Sequence, residues 1–462
     1  MYDTIIIGAG MSGLAAGIRL AYYQQRVCIL ERHFAIGGLN SFYRLRGRDY
    51  DVGLHAITNY APRGVKRGPL ASLLRQLRLQ WDDFALAPQI GSTIRFPGVD
   101  LHVGNGLEIL DAEIADKVPG QQIPFRRLLQ RLLGYDEIHT PGAAASARQV
   151  LGELFGEPLL VEMLLCPLMW YGNAREHDMD FGTFSMLFRS VFLEGLARPY
   201  AGVRLILRSL VRKFRDMGGE LRLRSGVAQI KVDGQRATGV VLEDGTELAA
   251  RRILSSAGLV ETLRLCQAGL AADPLRTARL SFCEAVSILD RPPKTLGFDR
   301  TIVFYNDSHK FHWETPAEEL VDARTGVVCS PNNYLYEEEL NALPEGVIRI
   351  SALANFDRWS ALSEEDYTLA KLRCYDRMAA SAVRFIPEFR SRVIDTDMFT
   401  PKTICRFTRH EGGAVYGAPE KRRDGTTHLQ NVFLCGTDQG LVGIVGSIIS
   451  GITIANRHCL RE

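Results

Sequence analysis

Glycines at Gly8, Gly10, Gly13 and Gly17 keep side chains away from whatever lies above this stretch of backbone. In "DTIIIGAGMSGLAAGIRL" they follow a β-branched run and open a small-residue helix. The chemistry that suits such spacing is capture of a pyrophosphate. Gly8 allows the tight turn, Gly10 lets backbone N–H groups approach the anion, and Gly13 lets the helix pack close to the strand. The helix N-terminus adds partial positive charge. Glu31, ending the next strand, is placed to accept both hydroxyls of an adenosine ribose, which favours FAD or NAD over a phosphorylated ribose. An ordinary tight turn does not explain an acid at that distance. Gly37 and Gly38 then make a second close backbone approach, which suits an extended FAD better than NAD.

Near the other end, Gly436-x-Asp438 followed by Gly440, Gly443 and Gly446 fits a polyol-binding acid before a close-packed helix, with a helix-capping aspartate as the competing reading. His55, which Asp51 and Gly53 in "DVGLHA" set just beyond the cofactor contacts, is a candidate for proton transfer, against the reading of a structural histidine. His410, Glu411 and Tyr416 in "TRHEGGAVYG" are further candidates. No Ser/His/Asp order, H-E-x-x-H or nucleophilic Cys motif offers another chemistry. Only one dinucleotide fingerprint is present, so an external electron acceptor or donor, oxygen or a quinone, or the substrate itself, is expected.

The elements that must position these residues begin with a βαβ unit: "YDTIIIGAG" as a strand buried on both faces, "MSGLAAGIRLAYYQQ" as a helix, and "RVCILER" as a second strand. From about Asp82 to Leu193 the chain reads as apolar helical segments between Pro/Gly turns. "RPYAGVRLILRSLVRKFRDMGG" is a helix closed by Gly218 and Gly219, followed by hairpins turning at Asp233-Gly234 and Asp244-Gly245. The last element is again strand, glycine turn and helix. The expected fold class is α/β: a Rossmann-like FAD-binding domain with a parallel sheet, plus a mixed α+β substrate domain carrying a helical insertion. The expected division gives 1–80, 196–282 and 400–462 to the first and 81–195 and 283–399 to the second.

A chain of 462 residues exceeds what one core usually organises. A net charge of +2 gives no case for nucleic acid, and nine scattered cysteines without a Cys-x-x-Cys pair imply reduced thiols, neither a disulfide framework nor a metal site. Met1 is followed by no basic n-region, so no signal peptide is expected. "LLVEMLLCPLMWYG" carries Glu162 and Pro167 and falls short of the ~20 residues that a membrane span needs. A cytoplasmic protein is expected, with peripheral contact to the inner face of a membrane through Leu159 to Phe192.

The segments "GAGMSGLAAG", "LER", "IGGLNSFY", "YDVGLHA" and "CGTDQGLVGIVGSIISG" resemble the FAD-dependent amine-oxidase-type superfamily, and more narrowly its phytoene desaturase, carotenoid isomerase and retinol saturase group. The resemblance implies that Gly8, Gly10, Ser12 and Gly13 hold the pyrophosphate region, Glu31 and Arg32 the ribose end, and Gly37, Gly38 and Leu39 the inner face of the cofactor, with Asp51, Gly53 and His55 nearby. It places Val227 against the adenine, Ala257 and Gly258 under the pyrophosphate, and Gly436 and Asp438 at the ribityl chain. Gly443, Ile444 and Val445 would aim a helix N-terminus at the flavin pyrimidine ring. "PYAGVRLIL" departs from the glycine-rich turn usual before its helix. The substrate so implied is a long, hydrophobic isoprenoid or polyene lipid, altered at a carbon–carbon double bond. Residues of "MLLCPLMWYG" and "FGTFSMLFRSVF" are candidates for its tunnel, against a plain helix core. An amine or amino-acid oxidase is the alternative, and a non-catalytic flavoprotein a third class.

Overall fold

A computed structural model describes residues 1–134, 145–266, 280–337, 343 and 345–460; the parts of the two-domain division that fall at 135–144 and 267–279 lie outside them. The first strand, Tyr2–Ile7, lies between parallel neighbours Val27–Leu30 and Glu247–Ser255. Its side chains alternate between two cores: Ile6 packs with the helices on one face, while Ile5 and Ile7 join the hairpin side. Glu220–Arg222 and Val432–Leu434 extend the parallel part, and the hairpin Val227–Asp233 and Arg236–Leu242 completes a seven-stranded sheet. The strands of this sheet come from both ends and the middle of the chain.

Helix Met11–Tyr22 covers this sheet and crosses helix Gly443–Ile454. Small residues set how closely they pack: a Cβ on Gly451 would fall 2.0 Å from the Ser12 carbonyl oxygen. Helix Val203–Asp216 closes the same face, burying Ile206, Leu207, Leu210 and Phe214. The departure noted before this helix has a structural counterpart. Gly202, at φ +71°, leaves the Asp51 carboxylate room to accept the Val203 N–H at 3.1 Å, and a Cβ there would meet Asp51 Oδ2 at 2.0 Å.

A second seven-stranded sheet runs in the order Val393–Phe399, Ser281–Leu289, Gly346–Ala354, Thr325–Cys329, Ile302–Asn306, Ser92–Phe96 and Val99–Val103. All of its pairings are antiparallel except Ile302–Asn306 with Ser92–Phe96. Its last two strands correct the expectation of an all-helical 82–193. Their short alternating runs pair with each other across Pro97 and Gly98, and Ser92–Phe96 gains its other partner from distant Ile302–Asn306. The insertion proper is helical from Glu108 onward.

Helix Pro158–Gly172 starts on a proline at its first turn, where the missing N–H costs nothing, with the Glu157 side chain accepting the Leu159 N–H at 3.2 Å. Apart from Glu162, which pairs with Arg148, it is apolar round most of its circumference because most of it is covered. Leu160, Met163, Leu164, Leu165, Cys166, Leu168 and Met169 are each 0% exposed, packed with Phe184 and Phe188 of the next helix and with Ile94 and Phe304 of the sheet. The expected membrane face at Leu159 to Phe192 is therefore interior, and that assignment is corrected. Among the described residues no helix is long and apolar enough to cross a membrane.

Candidate functional site

A cavity of about 1120 Å³ lies between the two sheets, just above the ~300–1,000 Å³ usual for small-molecule sites. At one end it is lined by Gly8, Gly10, Ser12, Glu31, Arg32, Gly37, Gly38 and Leu39, joined by Val227, Ala257, Gly436, Gly443 and Ile444. Gly53, His55, His410 and Tyr416 also line it. Most of the residues singled out from sequence thus share one surface.

Of the residues assigned to the cofactor by resemblance, five do not line it, and neither does Glu411, which pairs with Arg264. Gly13 is structural: its Cβ would sit 2.1 Å from the Gly8 carbonyl oxygen. Asp51 is spent on the Val203 N–H and on an ion pair with buried Arg198. Gly258 starts helix Leu259–Leu265, and Val445 is buried in the core. Asp438, expected at the ribityl chain, accepts the N–H groups of Leu259 at 2.5 Å and Ala418 at 2.6 Å, and is 3% exposed. Its carboxylate fastens three segments together and does not line the cavity, whereas the adjacent Thr437 does.

The surroundings fit a dinucleotide. Gly8 has φ +96°, as the turn requires. A Cβ on Gly10 would find only the Gly37 oxygen, at 4.0 Å, so the space above it is free for a ligand. Helix Met11–Tyr22 and helix Gly443–Ile454 both begin at this cavity, and neither has a side-chain cap on its first N–H groups. Two uncapped N-termini on one cavity offer unshared donors and partial positive charge at two points. Glu31 Oε2 accepts the Ala9 N–H and Oε1 the His33 N–H, each at 2.8 Å, which fixes the carboxylate and leaves each oxygen a further lone pair.

Away from the glycines the wall changes. Trp170, Tyr171, Phe282, Phe304, Val327 and Val415 line it, with ring contacts between Trp170 and Phe282, Phe282 and Tyr416, and Tyr171 and Phe304. The Tyr416 hydroxyl donates to the Trp170 carbonyl, and burial raises its pKa. Into this apolar region project His55, Ser351 and Glu284. His55 Nε2 is 3.0 Å from Ser351 Oγ and 3.5 Å from Glu284 Oε1. Burial alone would raise the Glu284 pKa, but Arg349, whose Nε donates to Oε1 at 2.5 Å, and His55 outweigh it and hold the carboxyl down at about 2.

The backbone beneath His55 is gripped from several sides. Arg198 and Arg349 each donate to the Leu54 carbonyl at 2.8 Å, and the Tyr334 hydroxyl donates to the His55 carbonyl at 2.7 Å. His410 lies by the glycine end, its Nδ1 3.5 Å from Glu261 Oε1. Burial disfavours its charge, yet Glu261 prevails and raises its pKa.

Glu284, Arg349 and Ser351 were not singled out from sequence. A signal existed: "SFCEAVSIL" and "VIRISALA" each carry one charged residue inside an apolar run, and such a residue is buried only with a partner. Which partner depended on strand register, which sets Glu284 opposite Ser351 and Val286 opposite Arg349.

The profile of the flavin containing amine oxidoreductase family matches residues 11–279. Over 99% of its length the chain is 22% identical to chloroplastic prolycopene isomerase of Arabidopsis thaliana, covering 82% of that protein. It is equally similar, at 22% and over 99% of its length, to all-trans-retinol 13,14-reductase of Danio rerio, covering 86% of it. The same identity and coverage of this chain hold for 4,4'-diaponeurosporene oxygenase of Staphylococcus aureus, covering 98% of it. Among solved structures, an oxidoreductase from Methanosarcina mazei superposes with a TM-score of 0.69 at 15% identity, over 98% of this chain and 99% of that one. A redesigned putrescine oxidase superposes at 0.66 and 15% identity, over 100% and 99%. The cofactor is FAD, and the protein is an FAD-dependent oxidoreductase. With the profile spanning more than half of the sequence, the chain belongs to the flavin containing amine oxidoreductase family.

Proposed function

We propose that this enzyme acts on a carbon–carbon double bond of a long isoprenoid or carotenoid-like lipid, by desaturation, saturation or isomerisation. The observation that carries the reading is the aromatic and aliphatic wall of Trp170, Tyr171, Phe282, Phe304, Val327 and Val415 on the cavity that holds the glycine motif. A hydrocarbon offers few polar handles, so such a wall must orient it by shape and exclude water. Relatives over nearly the whole chain are named for prolycopene isomerisation, retinol reduction and diaponeurosporene oxygenation, which supports this substrate class.

In this reading Gly8, Gly10, Ser12, Gly37, Gly38 and Thr437 hold the cofactor's phosphate region, Glu31 the ribose, and the N-terminus of Gly443–Ile454 the flavin end. Bound FAD supplies the acceptor or donor of a hydride equivalent. The two-sheet architecture supports a discontinuous cofactor domain and a second, substrate domain. We further propose an external electron partner, a quinone or oxygen. Contact with a lipid surface would fall on exposed Ile109, Ile123 and Leu133 beside Arg126, Arg127 and Arg131.

The test is anaerobic incubation of oxidised and of pre-reduced enzyme with phytoene, a coloured carotene and retinol, followed by product separation. New conjugation from oxidised enzyme identifies a desaturase, lost conjugation from reduced enzyme a saturase, and a new isomer at constant conjugation an isomerase. Bleaching of the flavin by an amine or amino acid, with every lipid untouched, would reject the lipid reading.

A further inference from the structure

We propose that His55 is the group that exchanges a proton with the substrate, and that Glu284 and Ser351 are the residues that position it. The inference rests on the double-bond chemistry proposed above and deepens it by assigning the proton.

Both known contacts of the His55 ring are at Nε2: Ser351 Oγ at 3.0 Å and Glu284 Oε1 at 3.5 Å. Nδ1 has no hydrogen-bond partner among the described residues, and His55 lines the cavity. The ring is therefore oriented from one nitrogen and free at the other. A base whose second nitrogen faces a carboxylate is fixed in tautomer and stabilised when charged. Glu284 is suited to the task because it stays ionised although it is 8% exposed: Arg349 binds it, and Arg349 also donates to the backbone carbonyls of Asp51 and Leu54.

Three separate elements thus converge. Glu284 comes from Ser281–Leu289, Ser351 and Arg349 come from the neighbouring Gly346–Ala354, and His55 comes from the loop after Asp51. The other charged or titratable groups that face this loop are Arg198 and Asp51, which pair with each other, and Tyr334 and Cys329, whose hydroxyl and thiol point to the His55 carbonyl oxygen. None of them occupies Nδ1.

The balance of the step is simple. When a CH–CH unit becomes C=C, one carbon loses a hydride equivalent, for which bound FAD would be the acceptor, and the other gives up a proton, which neutral His55 takes at Nδ1. The resulting imidazolium keeps its Nε2–H toward Ser351 and Glu284. Saturation runs the same transfers in reverse, and isomerisation returns what it removed.

The experiment compares wild-type, His55→Gln, Ser351→Ala and Ser351→Thr holoenzymes for FAD content, KM, kcat and the pH profile of anaerobic flavin bleaching. The substrate is whichever of phytoene, retinol or an amine bleaches the oxidised wild type, reoxidises the pre-reduced one or is isomerised by it, and the pH profile is then taken on that reaction. His55→Gln should keep FAD and KM, lose about 10²–10⁴ in kcat, and lose the histidine limb of the pH profile. Ser351→Ala should lose about tenfold in kcat at unchanged KM, and Ser351→Thr, which keeps the hydroxyl on a strand that tolerates β-branching, should recover it. A His55→Gln enzyme with the wild-type kcat and pH profile overturns the assignment. Turnover of the amine alone rejects the lipid reading while these variants still score the proton transfer; a wild type that is not bleached by any of the three, is not reoxidised by any of them when pre-reduced, and isomerises none of them rejects both.

Discussion

Asp438 accepts the Leu259 N–H at 2.5 Å across 179 residues of sequence. With its second oxygen on Ala418 at 2.6 Å, it ties the turn after Val432–Leu434 to the start of helix Leu259–Leu265 and to the loop after Gly417. Asp438→Asn would set an amide N–H₂ against one of these donors. The expected cost is about 1–3 kcal/mol in the stability of the FAD-free protein, read from urea unfolding. A residue serving only to bind cofactor would leave apoprotein stability unchanged.

Two glycines of one motif should fail in different ways. A Cβ on Gly10 meets nothing nearer than 4.0 Å, whereas one on Gly13 meets the Gly8 oxygen at 2.1 Å. Gly10→Ala should fold normally and retain less FAD, while Gly13→Ala should fold poorly with or without FAD. Circular dichroism and flavin absorbance of the two purified proteins separate these outcomes, and normal FAD content in Gly10→Ala would contradict the assignment of that space to cofactor.

Glu31→Ala should weaken FAD binding roughly ten- to hundredfold, as expected for loss of about 1.5–3 kcal/mol of charge-assisted hydrogen bonding. It should also loosen the turn, because the carboxylate holds the Ala9 and His33 N–H groups. Equilibrium titration of apoprotein with FAD measures the first effect. An affinity equal to the wild type's would remove Glu31 from the site.

Acid stability should report on Glu284. Its carboxyl is held at about 2 in the folded protein, below its ordinary value of 4.5. A depressed pKa contributes stability that is fully present above the unfolded value and is lost as pH falls through the folded one. The urea midpoint of the wild type should therefore fall between pH 4.5 and 2, with a contribution on the order of a few kcal/mol. Glu284→Gln should start less stable at pH 7, with Arg349 left buried beside a neutral amide, and fall less steeply over that range. Parallel curves would show that the pair does not govern acid unfolding.

The insertion supplies a further contrast. Leu164 is 0% exposed and Ile123 is 65% exposed. Leu164→Ala should cost about 2–5 kcal/mol and leave flotation with anionic liposomes unchanged. Ile123→Asp together with Leu133→Asp should leave thermal stability within error and reduce flotation. The reverse pattern would return the lipid contact to the Leu159 to Phe192 segment.

The sequence by itself determined the strand, glycine turn and helix at either end of the chain. The glycine spacing, Glu31 at the next strand's end and the closing strand–turn–helix are local patterns, because a tight turn, a ribose acid and a helix N-terminus each act within a few residues. The helix Val203–Asp216 and the hairpins after it were legible for the same reason, since their periodicity and turn residues are near neighbours. Tertiary structure decided what depended on distant partners. The apolar run at Leu159 to Phe192 could equally have faced lipid or a core, and only the sheet strands and helices packed around it made it interior. Asp438 could equally have bound a polyol or the backbone, and the arrival of Leu259 and Ala418 settled its contacts. His55, Glu284 and Ser351 stand up to 296 residues apart in sequence; the register of two antiparallel strands sets Glu284 opposite Ser351, and Arg198, Arg349 and Tyr334 hold the loop that carries His55 against them, which no local pattern encodes because a one-residue slip would turn each strand side chain to the opposite face.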